Sequence, residues 1–207
     1  MSKTIFTIGH SNHPLDWFLS LLSRHEITFV CDVRSFPYSK TNPQFSSDPL
    51  IKELKANKLS YEFLGKELGA RSDDPKMYEN GKVRYERLAE TDSFQNGLRI
   101  VRDIAASQRV ALLCAEKDPL YCHRMVLVGR YLDEAGIEVL HILADGSLEK
   151  QKDSLIRLSR LLNLAENDFF KSQEEILADV YAMQAERIAY DLNKNHSDIL
   201  LKENGLK

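Results

Sequence analysis

Residues 109–136, "RVALLCAEKDPLYCHRMVLVGRYLDEAG", decide how this chain is read. The run "RVALLCAE" opens with a continuous apolar stretch, as expected of a parallel strand covered on both faces. A polar turn ending at Pro119 follows, and from Cys122 onward a helical pattern runs to Gly136. Strand, polar turn and helix in succession are the first part of a βαβ unit, and "EVLHIL" (138–143) supplies the next strand.

Working outward, the same alternation fills the first 160 or so residues. "TIFTIG" is a short β-branched strand. In "NHPLDWFLSLLSRHE", Leu15, Phe18, Leu19 and Leu22 share one helical face behind Pro14. "ITFVCDV" is a second buried strand, "PLIKELKANK" a short helix and "LSYEFLG" a third strand. "SFQNGLRIVRDIAAS" is an amphipathic helix, and "SLEKQKDSLIRLSRLL" is read as helix throughout. Between these lie a long loop, Arg34–Pro49, with three prolines and five serine or threonine residues, and an irregular excursion over 67–83 rich in Gly, Asp and Pro. Long loops in compact domains tend to carry function. The pattern predicts a three-layer α/β domain with a mostly parallel sheet over residues 1–162. A helical extension covers 163–207, where Ser172 and Glu175 form a capping box and Ile176, Val180, Ile188 and Leu192 a stripe. Packing on its own domain is the plainer expectation for that stripe; a homodimer seam is the alternative.

Composition narrows the classes. The 207 residues, 43% hydrophobic and 29% charged, suit one substantial core. A net charge of −3 argues against a uniformly basic nucleic-acid coat, though not against a local arginine cluster. No apolar run approaches a membrane span. Three cysteines and no secretory segment ahead of the first strand lead to the expectation of a cytoplasmic protein with reduced thiols.

In parallel α/β sheets ligands bind beyond the carboxyl ends of the strands. Strand one ends in His10, Ser11 and His13, strand two in Asp32 and Arg34, the strand at 110 in Cys114 and Glu116, and the last in Asp145. Cys122, His123 and Arg124 are predicted in the first turn of a helix, where free N–H groups and the dipole favour a thiolate and can bind an anion. Cys122, His123, His10, Asp32 and Glu116 are therefore the candidate catalytic groups. Ser11, Arg34, Ser39, Lys40, Arg71, Cys114 and Arg124 are the candidates for holding substrate. Tyr38, Phe45 and Tyr85 lie near cations in sequence only. Cys31, Trp17 and Phe18 read as core, His141 as a satisfied buried histidine, and His25 and His196 as exposed. The phosphatase signature fails, since Leu120 stands six residues after Cys114. Walker, G-x-G-x-x-G and C-x-x-C patterns are absent. Cys114, Cys122 and His123 offer soft ligands, but their spacing matches no standard zinc motif. On one helix, Cys122 and His123 would point about 100° apart. A metal is thus the minority expectation, and no cofactor is assigned.

"TIGHS", "CDVRSFPYSKTNPQF", "LGKELGAR", "LLCAEKDPLYCHR" and "VLHIL", in that order, resemble the bacterial and archaeal domain of unknown function 488. The resemblance covers about residues 3 to 160. It implies a shared role for His10, Ser11, Asp32, Arg34, Pro37, Ser39, Pro43, Phe45, Gly69, Arg71, Cys114, Glu116, Cys122, His123 and Arg124. Lys40 stands where relatives often carry arginine, and Ala70 where a second glycine is frequent. The family brings no settled activity. The leading expectation is an enzyme acting on an anionic substrate, a nucleotide or nucleic-acid component. The alternatives are a binding module without turnover and a metal-binding protein using Cys114, Cys122 and His123.

Overall fold

In the computed structural model, which describes residues 4–164 and 172–193, the chain forms an α/β domain of three layers. In chain order come β1 (Thr4–Gly9), α1 (Leu15–Arg24), β2 (Phe29–Asp32), α2 (Ser47–Ala56), β3 (Ser60–Phe63) and the short α3 (Gly65–Leu68). A two-stranded hairpin, β4 (Tyr78–Glu79) and β5 (Lys82–Val83), precedes α4 (Tyr85–Ala89) and α5 (Asp92–Ile104). Then follow β6 (Val110–Cys114), a π-helix (Arg124–Gly129) running into α6 (Arg130–Glu134), β7 (Glu138–Ile142), β8 (Leu148–Lys150), α7 (Gln151–Leu161) and α8 (Gln173–Ile188).

The sheet order is β3-β2-β6-β1-β7-β8, parallel except for β8. Because side chains alternate along a strand, each strand feeds two cores. Phe6, Ile8, Val30, Ala111 and Leu113 pack with Phe18 and Leu22 of α1 and Leu50 and Leu54 of α2. Ile5, Cys31, Leu112 and Cys114 pack on the other side with residues of α5, the π-helix, α7 and α8. Each fully buried Leu or Phe contributes about 1.5–3 kcal/mol.

Several expectations need correction. "SLEK" is not helical: Leu148–Lys150 pairs antiparallel with β7 and supplies an edge strand before α7 begins at Gln151. Trp17 is 42% exposed, because its indole N–H reaches the Ala144 carbonyl at the surface rather than the core. His25 is half-buried against the Gly146 carbonyl at 2.9 Å, and His196 lies outside the described residues. The inward face of α8 consists of Val180, Tyr181 and Gln184, with Leu177, Ala185 and Ile188 beside them; Leu192 falls beyond the helix end. Among the described residues no helix is long and apolar enough to cross a membrane.

Candidate functional site

Strands β2, β6 and β1 are neighbours, so their carboxyl ends meet. The chain stays paired just past them: the His10, Ser11 and Val33 N–H groups donate to the carbonyls of Cys114, Ala115 and Leu113. The loop after β6 crosses directly over β1. Any side chain at Gly9 would overlap the Glu116 carbonyl, so glycine there permits the crossing.

Beyond this edge lies a cavity of about 430 Å³. His10, Cys114, Glu116 and His123 line it, with Arg34, Ser35, Phe36, Tyr38 and Ser39 from the loop after β2. Arg71, Tyr85 and Tyr121 line it too, as do Ile188 and Tyr190 from the C-terminal segment. Phe36, Tyr38 and Tyr121 are largely exposed. The Arg71 guanidinium lies 3.9 Å from the Tyr190 ring centre and 5.1 Å from that of Phe36, a cation held by aromatic faces.

A sulfur–imidazole cluster forms the floor. Alternation along β6 puts Cys114 on the face covered by the π-helix. Cys122 has extended backbone (φ −133, ψ 140), whereas His123 is helical (φ −61, ψ −22). The two are therefore not successive helical residues, and the expected 100° divergence does not arise. His123 Nδ1 lies 3.7 Å from the Cys114 sulfur and 4.0 Å from that of Cys122. Its Nε2–H donates to the Val33 carbonyl at 3.0 Å. The Cys114 thiol donates to Glu116 Oε2 at 3.0 Å, and the Cys122 sulfur accepts the Arg124 backbone N–H at 3.4 Å.

These contacts divide the charge. Burial and the adjacent Cys122 push the Cys114 thiol well above its usual range. Burial also opposes ionisation of Cys122, but the neighbouring Cys114 side chain, the Arg124 charge and His123 more than offset it and hold that thiol well below its usual range. Burial would lower His123, yet Cys122 and Glu116 carry it upward. Glu116 is raised by burial and by Cys122. Cys122 is 1% exposed and absent from the cavity lining, so the sulfur that best bears charge sits behind the one that meets the cavity.

The other candidates divide into two groups. His10 lines the cavity, stacked on Phe45 with ring centres 4.5 Å apart. Its Nδ1 meets the Ser11 carbonyl at 2.8 Å, which leaves Nε2 as an acceptor; burial lowers it to about 4. Ser39 also lines the cavity, its hydroxyl accepting the Asn42 N–H. Asp32 does not line it. It is buried under Arg34, which donates to both carboxylate oxygens, and under the Tyr61 hydroxyl at 2.9 Å. Arg34 also donates to the Phe45 carbonyl, so most of its guanidinium faces protein rather than a ligand.

Arg124, expected to close over an anion, is fully buried. Its guanidinium donates to the Glu116 and Lys117 carbonyls at 2.6 and 3.1 Å, stapling the loop after β6, while its Nε has no partner. Ser11, Lys40, His13 and Asp145 stand outside the lining; the Ser11 hydroxyl turns to Asn12 instead.

The sequence reading missed Phe36, Tyr121, Ile188 and Tyr190. Tyr121 lies within the distinctive "PLYCHR" and was open to notice. Nothing local marks Tyr190, which reaches the cavity because its carbonyl accepts the Val83 N–H and Lys82 bridges to Asp191.

No curated protein and no solved structure matches this chain. A family model, the domain of unknown function DUF488, matches residues 14–131, more than half of the 207. That span contains the loop after β2, Arg71 and the whole Cys114–Arg124 stretch, and the chain belongs to the DUF488 family.

Proposed function

We propose that this chain is an enzyme acting on a planar, anionic small molecule, a nucleotide or a nucleic-acid component. The observation that carries the reading is one cavity whose floor is the Cys114–His123–Glu116 group and whose rim holds Arg71 between aromatic rings. Aromatic faces suit a base, and a guanidinium suits its phosphate or other anionic group. Its volume falls in the range of small-molecule sites.

In this reading Arg71, with Phe36, Tyr38 and Tyr190, binds the substrate, and Ser39 orients it. Cys114 and His123 stand at the reacting atom. Glu116 takes the Cys114 proton, and His10 offers a second acceptor. Asp32, Arg34 and Arg124 are positioning residues that hold the loops. Cys122 supplies negative charge from behind rather than attacking substrate. Reduced thiols at the centre suit a reducing compartment such as the cytoplasm.

Calorimetric titration at low salt with adenosine, guanosine, cytidine and uridine monophosphates tests the binding step. At least one should bind, and Arg71→Ala should weaken it roughly ten- to a hundred-fold, the loss of a charged hydrogen-bonding partner. Turnover of the bound compound is then followed by chromatography. If no nucleotide binds, or the Arg71 variant binds equally well, the cavity reading is wrong.

A further inference from the structure

We propose that Cys114, Cys122 and His123 form a three-ligand site for a soft divalent metal ion, zinc or ferrous iron, with its fourth position open toward Glu116 and the cavity. The proposal rests on the cavity reading only for what the ion acts upon; the site itself stands on its own geometry. Among the described residues this is the one grouping of three such ligands, and their donor atoms all lie within 4.8 Å of one another.

The spacing fits a tetrahedral ion. Metal–sulfur and metal–nitrogen bonds of about 2.3 and 2.05 Å at tetrahedral angles place sulfur and nitrogen about 3.6 Å apart. The two sulfur–nitrogen pairs stand at 3.7 and 4.0 Å, so each closes by a few tenths of an ångström, while the two sulfurs, within 4.8 Å of each other, close toward the about 3.8 Å of a tetrahedral pair. The imidazole is already oriented for ligation. With Nε2–H donated to the Val33 carbonyl, the lone pair of a neutral ring lies on Nδ1, between the two sulfurs. A backbone carbonyl holding the far nitrogen is the usual support for a metal-bound histidine.

Placement favours the ion over a bare nucleophile. The Cys122 sulfur is sealed behind Cys114 and His123, out of reach of a substrate in the cavity but not of an ion seated between the three. Charge balances as well: two thiolates and a neutral imidazole offset a dication. On binding, Cys114 gives up its S–H proton, and Glu116 Oε2, 3.0 Å away, is placed to accept it and pass it to solvent. Three protein ligands with a fourth position facing a cavity is the arrangement of a catalytic site rather than a structural one. An ion there would polarise a substrate atom or activate a water.

The test uses the reduced, full-length protein, stripped with chelator and titrated with cobalt(II), then challenged with zinc. One equivalent of cobalt should bind with a sulfur-to-metal charge-transfer band, and one equivalent of zinc should abolish the band. Cys122→Ser and His123→Asn should lose it while retaining the far-ultraviolet circular dichroism of the parent. Should a variant unfold, the parent still decides the matter through the rise in melting temperature with zinc alone. No stoichiometric cobalt or zinc on the folded parent, or an unchanged band in folded variants, overturns the site. Nucleotide titration of the same samples separates the two ideas. Metal binding without nucleotide binding removes the cavity reading alone, and nucleotide binding without metal removes the ion alone.

Discussion

Histidine 141 shows how a single side chain ties sheet to helix. Gln151 donates from Nε2 to the Met125 carbonyl and the Tyr181 hydroxyl, so its Oε1 must accept the His141 Nε2–H. His141 Nδ1 then accepts from the Thr7 hydroxyl at 2.7 Å. The ring is neutral in this network, and burial, followed by the Arg124 charge, lowers it from 6.5 to about 4. Between those values the unfolded chain binds a proton that the folded one refuses. Stability is therefore full above about pH 6.5, falls as pH drops, and levels off near pH 4, by an amount on the order of 3 kcal/mol. His10, lowered likewise, adds in the same direction. Urea unfolding across this range should show a shallower pH slope for His141→Asn than for the parent; equal slopes would exclude His141 as the source. At this scale the sequence was partly legible. A histidine between Val139, Leu140 and Ile142 is buried by pattern alone. Trp17 misled because a hydrogen bond to a surface carbonyl can override its apolarity.

Among the elements, the segment from Cys122 to Gly136 reads in sequence as one α-helix, and its periodicity alone supports nothing else. What periodicity cannot carry is the backbone at each end. Cys122 stays extended, and the first turns widen into a π-helix, a form that often marks functional sites. That start lets two adjacent side chains converge. The C-terminal helix is the second surprise. It lies beyond the stretch that resembles the family, yet Gln184 donates to the Leu120 carbonyl at 2.6 Å, Tyr181 joins the Gln151 network, and Tyr190 walls the cavity. Ending the chain after Leu164 should lower the melting temperature. It should also weaken nucleotide binding at least as much as Arg71→Ala does. A truncated protein that binds as well as the full chain would return the helix to a peripheral role.

For the whole molecule, class and layering were legible because strand-like and helix-like periods alternate. Strand order was not: β6 inserts between β1 and β2, a long-range pairing that no local pattern encodes. That insertion is what brings the ends of β2, β6 and β1 together and lets three distant stretches border one cavity. Since α8 packs into the same core as the sheet, circular dichroism and the fluorescence of Trp17 should report one coincident thermal transition. Two separated transitions would mark the C-terminal region as an independent unit. The position of Tyr190 also has a consequence for synthesis. The ribosome makes Cys114, Cys122 and His123 well before Ile188 and Tyr190, the last residues to join the cavity wall. A growing chain can close its sheet and bring the two sulfurs together while that part of the wall is still missing. During that interval an oxidant meets a less walled Cys114 thiol with Cys122 close behind it, so the nascent protein is more open to disulfide formation than the finished one.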